Sequence, residues 1–105
     1  MARGGRQRQR GETPYPDEET TICIAQRLLG GGFIEVICVD GTKLKARIPG
    51  KMRRRIWIRE GDVLLVAPWG EGQDKGDIVY KYFRDEIKKL INKGYLTEEF
   101  LEEVT

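Results

Sequence analysis

From Thr20 to Phe83, short runs of β-branched and aliphatic residues alternate with turns built on glycine. The runs are Thr20 to Leu29, Phe33 to Val39, Lys43 to Ile48, Asp62 to Ala67 and Asp77 to Phe83. Between them lie Gly30-Gly31-Gly32, Asp40-Gly41, a basic stretch opened by Pro49-Gly50, and a loop to Gly76. This spacing predicts an all-β fold of five short strands in a small barrel or sandwich. Asp40-Gly41 between alternating runs predicts a type I′ hairpin turn, which needs residues that tolerate positive φ. Beyond Phe83 the period changes. Ile87, Leu90 and Ile91 recur at helical spacing, with Asp85 and Glu86 early, Lys88, Lys89 and Lys93 late, and Gly94 as a stop. One amphipathic helix lying on the barrel is predicted. Thr97 is placed to cap a last acidic turn holding Phe100 and Leu101.

Residues 1–16 are rich in Arg, Gln and Gly, contain Pro14 and Pro16, and offer only Tyr15 as a large apolar group. They cannot offset their ordering entropy by burial, which predicts a disordered basic tail. The expected organisation is a tail at 1–16, a barrel at 17–83, and a helix with a short acidic tail at 84–105. A chain of 105 residues holds one domain. No run of apolar residues is long enough to span a bilayer. Two cysteines, Cys23 and Cys38, make no disulfide framework. Inside apolar runs they are expected as buried free thiols behaving as small hydrophobes, in a reducing, cytoplasmic compartment.

Charge changes the picture through its distribution. Residues 1–11 carry Arg3, Arg6, Arg8 and Arg10 with no acid, whereas 12–20 carry Glu12, Asp17, Glu18 and Glu19 with no base. From 43 to 59, Lys43, Lys45, Arg47, Lys51, Arg53, Arg54, Arg55 and Arg59 stand without an acid. The C-terminal end carries Glu98, Glu99, Glu102 and Glu103. The basic middle is either a footprint for a polyanion or a solvated face.

Catalytic arrangements built on histidine are excluded, because the chain has none. Two cysteines without a CxxC make no zinc site, and no glycine-rich phosphate loop opens a helix. Neither an enzyme nor a cofactor is expected. If residues 55–59 are extended, Ile56 and Ile58 face the core and Arg55, Trp57 and Arg59 face outward. An indole between guanidiniums suits stacking on an unpaired base with phosphate contacts alongside. In the other arrangement Trp57 folds down as a rim residue under the arginine stems. Trp69 is expected to close the barrel, and Tyr80 and Tyr82 to be half-buried strand residues.

Five segments in one order carry a resemblance over residues 20–92. They are Leu28-Leu29-Gly30-Gly31-Gly32, Cys38-Val39-Asp40-Gly41, Ile48-Pro49-Gly50-Lys51-Met52-Arg53-Arg54-Arg55-Ile56-Trp57-Ile58, Gly61-Asp62-Val63-Leu64-Leu65 and Asp77-Ile78-Val79-Tyr80-Lys81-Tyr82. The chain resembles the translation initiation factor 1A family, and lacks the long acidic C-terminal extension of the eukaryotic members, which fits the archaeal branch. The resemblance implies an OB-fold (S1-like) barrel binding rRNA at the A site of the small ribosomal subunit, with an unfolded tail extending along the subunit. The implied RNA-binding residues are Lys43, Lys45, Arg47, Lys51, Arg53, Arg54, Arg55, Trp57 and Arg59, with Arg3, Arg6, Arg8 and Arg10 of the tail on rRNA or tRNA. Initiator tRNA and other initiation factors are implied partners of a chain that is monomeric when free. A general single-stranded RNA chaperone of cold-shock type, or an interaction module whose basic face meets an acidic protein, are the other functions this sequence accommodates.

Overall fold

The structure, a computed structural model, describes residues 13–50 and 57–104. The expected tail contacts Arg3, Arg6, Arg8 and Arg10, and the basic residues Lys51, Arg53, Arg54 and Arg55, lie outside the described residues, as does Ile56. Five strands, β1 (Thr21–Leu28), β2 (Phe33–Cys38), β3 (Lys43–Arg47), β4 (Val63–Pro68) and β5 (Lys75–Lys81), precede helices α1 (Arg84–Asn92) and α2 (Glu98–Val104). The strands close into a barrel in the order β1-β2-β3-β5-β4, with β3 and β5 parallel and the other pairings antiparallel. This is the OB-fold.

Burial patterns show where each strand's faces go. β2 and β3 alternate, with Ile34, Val36, Leu44 and Ala46 turned into the barrel and Lys43, Lys45 and Arg47 turned to solvent. β1 and β4 are buried on both faces, as their unbroken apolar runs require. Cys23, Ala25, Leu64 and Val66 fill the barrel, while Ile22, Ile24, Val63 and Leu65 lie in a second core with Tyr82, Leu90 and Leu96. Ile87, Ile91, Phe100 and Leu101 pack against that second core, so both helices cover the outside of the β1–β4 pair.

The helix signals act as predicted, with one addition. Gly94 adopts positive φ beyond α1, and Thr97 Oγ1 accepts from the Phe100 N–H at 3.0 Å to start α2. Phe83, which precedes α1, offers no polar side chain. Instead the buried Glu86 reaches back to accept the Phe83 N–H at 2.9 Å, and also accepts from the Tyr80 hydroxyl at 2.7 Å and the Thr13 hydroxyl at 3.1 Å.

Four expectations are corrected. The cysteines are not free thiols. Cys23 and Cys38 are opposite in the β1–β2 register, their Cα atoms 3.8 Å apart, and they form a disulfide inside the barrel. They therefore carry no argument for a reducing compartment. The Asp40-Gly41 turn is not type I′, because among the described residues only glycines have positive φ. Gly41 donates to the Cys38 carbonyl at 2.8 Å and then takes φ 92°, giving a three-residue loop in which Gly41 alone needs positive φ. Residues 13–16 of the expected tail lie on the molecule. The Tyr82 hydroxyl donates to the Pro14 carbonyl at 2.6 Å, and Tyr15 stacks on Tyr95 at 5.5 Å. Tyr82 is fully buried rather than half-buried, being the strut beneath that segment.

Candidate nucleic-acid interface

Strand alternation puts Lys43, Lys45 and Arg47 in a row on the barrel's outer surface. The parallel neighbour β5 sets Lys45 opposite Lys75 and Arg47 opposite Asp77. Arg47 Nε lies 3.0 Å from Asp77 Oδ1, and Lys45 Nζ lies 3.7 Å from Asp74 Oδ2. Asp74 also meets Lys75 at 3.4 Å, and the Lys75 charge, then a hydrogen bond from the same side chain, holds its carboxyl below the ordinary range. Lys43 has no acidic partner among the described residues. Two of the three β3 cations are thus already compensated within the protein.

Trp69 does not close the barrel. It follows β4, remains 42% exposed, and carries the Arg47 guanidinium 5.5 Å from its ring centre. Pro68 ends the strand and Gly70 turns the chain, so the indole is left on the β4–β5 loop.

At 57–59 neighbouring side chains take opposite sides. Ile58 is 8% exposed and belongs to the barrel core, while its neighbour Trp57 is 79% exposed and Arg59 is exposed. Residues 57–59 belong to no strand, Arg59 to Asp62 form a turn in which the Asp62 N–H donates to the Arg59 carbonyl at 3.1 Å, and the backbone is fixed at several further points. Arg59 N–H donates to Asp62 Oδ2 at 2.8 Å, Gly61 N–H to the Ala25 carbonyl at 2.8 Å, and Ala25 N–H to the Asp62 carbonyl at 2.9 Å. Lys81 Nζ donates to the Trp57 carbonyl at 2.6 Å and pairs with Asp62 Oδ2 at 3.3 Å. Arg47 is held at Asp77 and Trp57 at Lys81, four residues further along β5, or roughly 13 Å at the rise of a strand.

A cavity of about 600 Å³ lies elsewhere. Glu18, Glu19, Asp40 and Glu71 contribute to its walls and, among the described residues, no lysine or arginine does, so its potential opposes a phosphate backbone. Sequence reasoning missed Trp69 as an exposed ring, and Lys81 and Asp62 as the supports of Trp57. Trp69 carried a signal in its position between Pro68 and Gly70, whereas the contacts of Lys81 depend on a register that no local pattern encodes.

A sequence model of the family described as Translation initiation factor 1A / IF-1 matches residues 10–105. Among curated relatives, translation initiation factor 1A of Aeropyrum pernix is 59% identical over 99% of this chain and 96% of its own length. The same factor from Desulfurococcus amylolyticus is 48% identical over 85% of this chain and 77% of its own. Among solved structures, translation initiation factor one from the Wolbachia endosymbiont of Brugia malayi aligns with a TM-score of 0.50 at 23% identity, over 69% of this chain and 85% of that one. YjeQ from Thermotoga maritima aligns with a TM-score of 0.51 at 19% identity over 62% of this chain, which spans 23% of YjeQ. At those identities the two structures speak to the barrel fold alone.

Proposed function

The chain belongs to the translation initiation factor 1A / IF-1 family, and from that premise we propose that it binds rRNA at the A site of the small ribosomal subunit in the cytoplasm. Its work there is occupancy. While the barrel fills the site, elongator tRNA is excluded and initiator tRNA placement is supported. The observation that carries the reading is Trp57, a 79% exposed indole beside a core isoleucine, in the most basic stretch of the chain. An exposed ring of that size gains from a planar partner, and an unpaired base or ribose is the partner that a cationic surround selects. Lys51, Arg53, Arg54 and Arg55 connect the end of β3 to Trp57 in sequence, and with Lys43, Lys45, Arg47 and Arg59 they neutralise rRNA phosphates. Arg3, Arg6, Arg8 and Arg10 precede the anchor at Thr13–Tyr15 and contact rRNA or initiator tRNA. Other initiation factors are neighbours on the same subunit.

Trp57→Ala tests this in one variant. Stacking on one base is worth roughly 1–3 kcal/mol, whereas truncating a buried tryptophan costs roughly 3–5 kcal/mol of stability. The variant is expected to melt within a few degrees of the parent and to lose about tenfold or more in affinity for small subunits. Normal binding by a folded variant would refute the assignment. Chemical footprinting of the subunit with the parent protein should protect A-site nucleotides, whereas a general RNA chaperone would be displaced by random single strands.

A further inference from the structure

We propose that Lys81, acting with Asp62, is a positioning residue for RNA binding, fixing the backbone of Trp57 so that its indole is presented already ordered. The inference rests on the reading of Trp57 as an RNA contact. Lys81 pairs with Leu64 across the β4–β5 ladder, and Leu64 points into the barrel. Cross-strand partners share a face, so the Lys81 side chain is directed at the barrel's end rather than outward. There its ammonium meets two acceptors, the Trp57 carbonyl at 2.6 Å and Asp62 Oδ2 at 3.3 Å, with only 21% of the lysine side chain and 24% of the aspartate side chain exposed. The same Asp62 oxygen takes the Arg59 N–H at 2.8 Å, and the Asp62 backbone is bonded to Ala25 of β1. One lysine therefore ties the residue bearing the exposed ring to two strands of the barrel.

The Trp57 indole itself touches no other ring and makes no hydrogen bond among the described residues. Among the described residues, the support that orders it is the backbone that carries it. A side chain immobilised during binding costs affinity, and support that holds the backbone beforehand removes part of that cost. The Lys81 charge is already compensated by Asp62. It therefore contributes to binding without releasing counterions from the RNA, which separates positioning from phosphate contact.

The chain has two tryptophans, so a Trp69→Phe background leaves Trp57 as the sole tryptophan fluorophore. In that background Lys81→Met is expected to speed the local anisotropy decay of Trp57 and weaken binding to archaeal small subunits by about two- to tenfold. The slope of log affinity against log salt should stay unchanged, and Lys81→Arg should restore most of both losses. Combined with Trp57→Ala, Lys81→Met should cost nothing further. Asp62→Asn, which keeps the side-chain shape but leaves the Lys81 charge uncompensated, is expected to speed the local anisotropy decay of Trp57 likewise, and stands in on that readout if Lys81→Met does not fold. Unchanged anisotropy with normal affinity would overturn the proposal. So would a slope reduced by about 0.7, which would make Lys81 a phosphate contact. If Trp57→Ala binds normally, the functional reading fails instead; if Trp57→Ala is weak and Lys81→Met normal, only the positioning role fails.

Discussion

Single atoms decide some positions in this barrel. Gly76 lies where β5 runs between β3 and β4, and a Cβ there would stand 2.9 Å from the Ala67 carbonyl oxygen and 2.9 Å from Val66 Cγ1. The carbonyl belongs to the β4 backbone and cannot swing away as a long side chain would. Gly76→Ala is therefore expected to destabilise by about 1–3 kcal/mol, measured as a lower denaturation midpoint, with affinity per folded molecule unchanged. The sequence placed Gly76 in the loop before the last strand, because glycine usually punctuates strands and close approach of another backbone leaves no local trace. Trp57 was legible for the opposite reason. Its exposure follows from the parity of Ile58, a property of adjacent residues. Trp69 was misread because its surroundings depend on Arg47, more than twenty positions away in sequence and brought near by the parallel β3–β5 pairing.

Element pairing explains the cysteines. Near the Gly30–Gly32 turn the β1–β2 register matches Leu28 with Ile34 and Arg27 with Glu35; continued unbroken, it would set Cys23 opposite Val39. A bulge at Gln26 shifts the register by one residue, so Cys23 faces Cys38 instead. The Gln26 side chain also reaches α2, donating to the Val104 carbonyl at 2.9 Å. The five runs were readable from periodicity, but an extra residue in one of them was not, and the disulfide depends on it. Denatured without reductant, the purified chain should show no reactive thiol; reduction should destabilise the fold by about 3 kcal/mol for a separation of 15 residues. Two thiols without reductant would refute the pairing. The N-terminal segment gives a paired truncation test. Removing residues 1–11 should leave the melting temperature nearly unchanged while weakening subunit binding. Removing 1–15 should also lower the melting temperature, because Thr13, Pro14 and Tyr15 engage Glu86, Tyr82 and Tyr95.

Across the whole molecule, a net charge of +2 conceals a separation of sign. Acids gather around the cavity walled by Glu18, Glu19, Asp40 and Glu71, and along α2, whereas cations occupy β3 and the residues between β3 and Trp57. The cations are not equivalent. Lys45 and Arg47 are paired with Asp74 and Asp77, so an RNA phosphate reaching them competes with a carboxylate already in place. Arg53, Arg54 and Arg55 stand in a run of seventeen residues, 43 to 59, that contains no acid at all. Each phosphate neutralised releases condensed counterions, with a slope of log affinity against log salt near −0.7 per contact for single strands. Replacing Arg53, Arg54 and Arg55 by Ala should therefore flatten that slope by about two units. Replacing Lys43, Lys45 and Arg47 should flatten it by less than about one, with Lys43 the main contributor, because the other two enter the complex partly compensated. Binding isotherms of both triple variants on small subunits at several salt concentrations make the comparison directly. A larger change from the β3 triple would move the phosphate-binding surface onto the strand, and would mean that RNA displaces Asp74 and Asp77 from their partners.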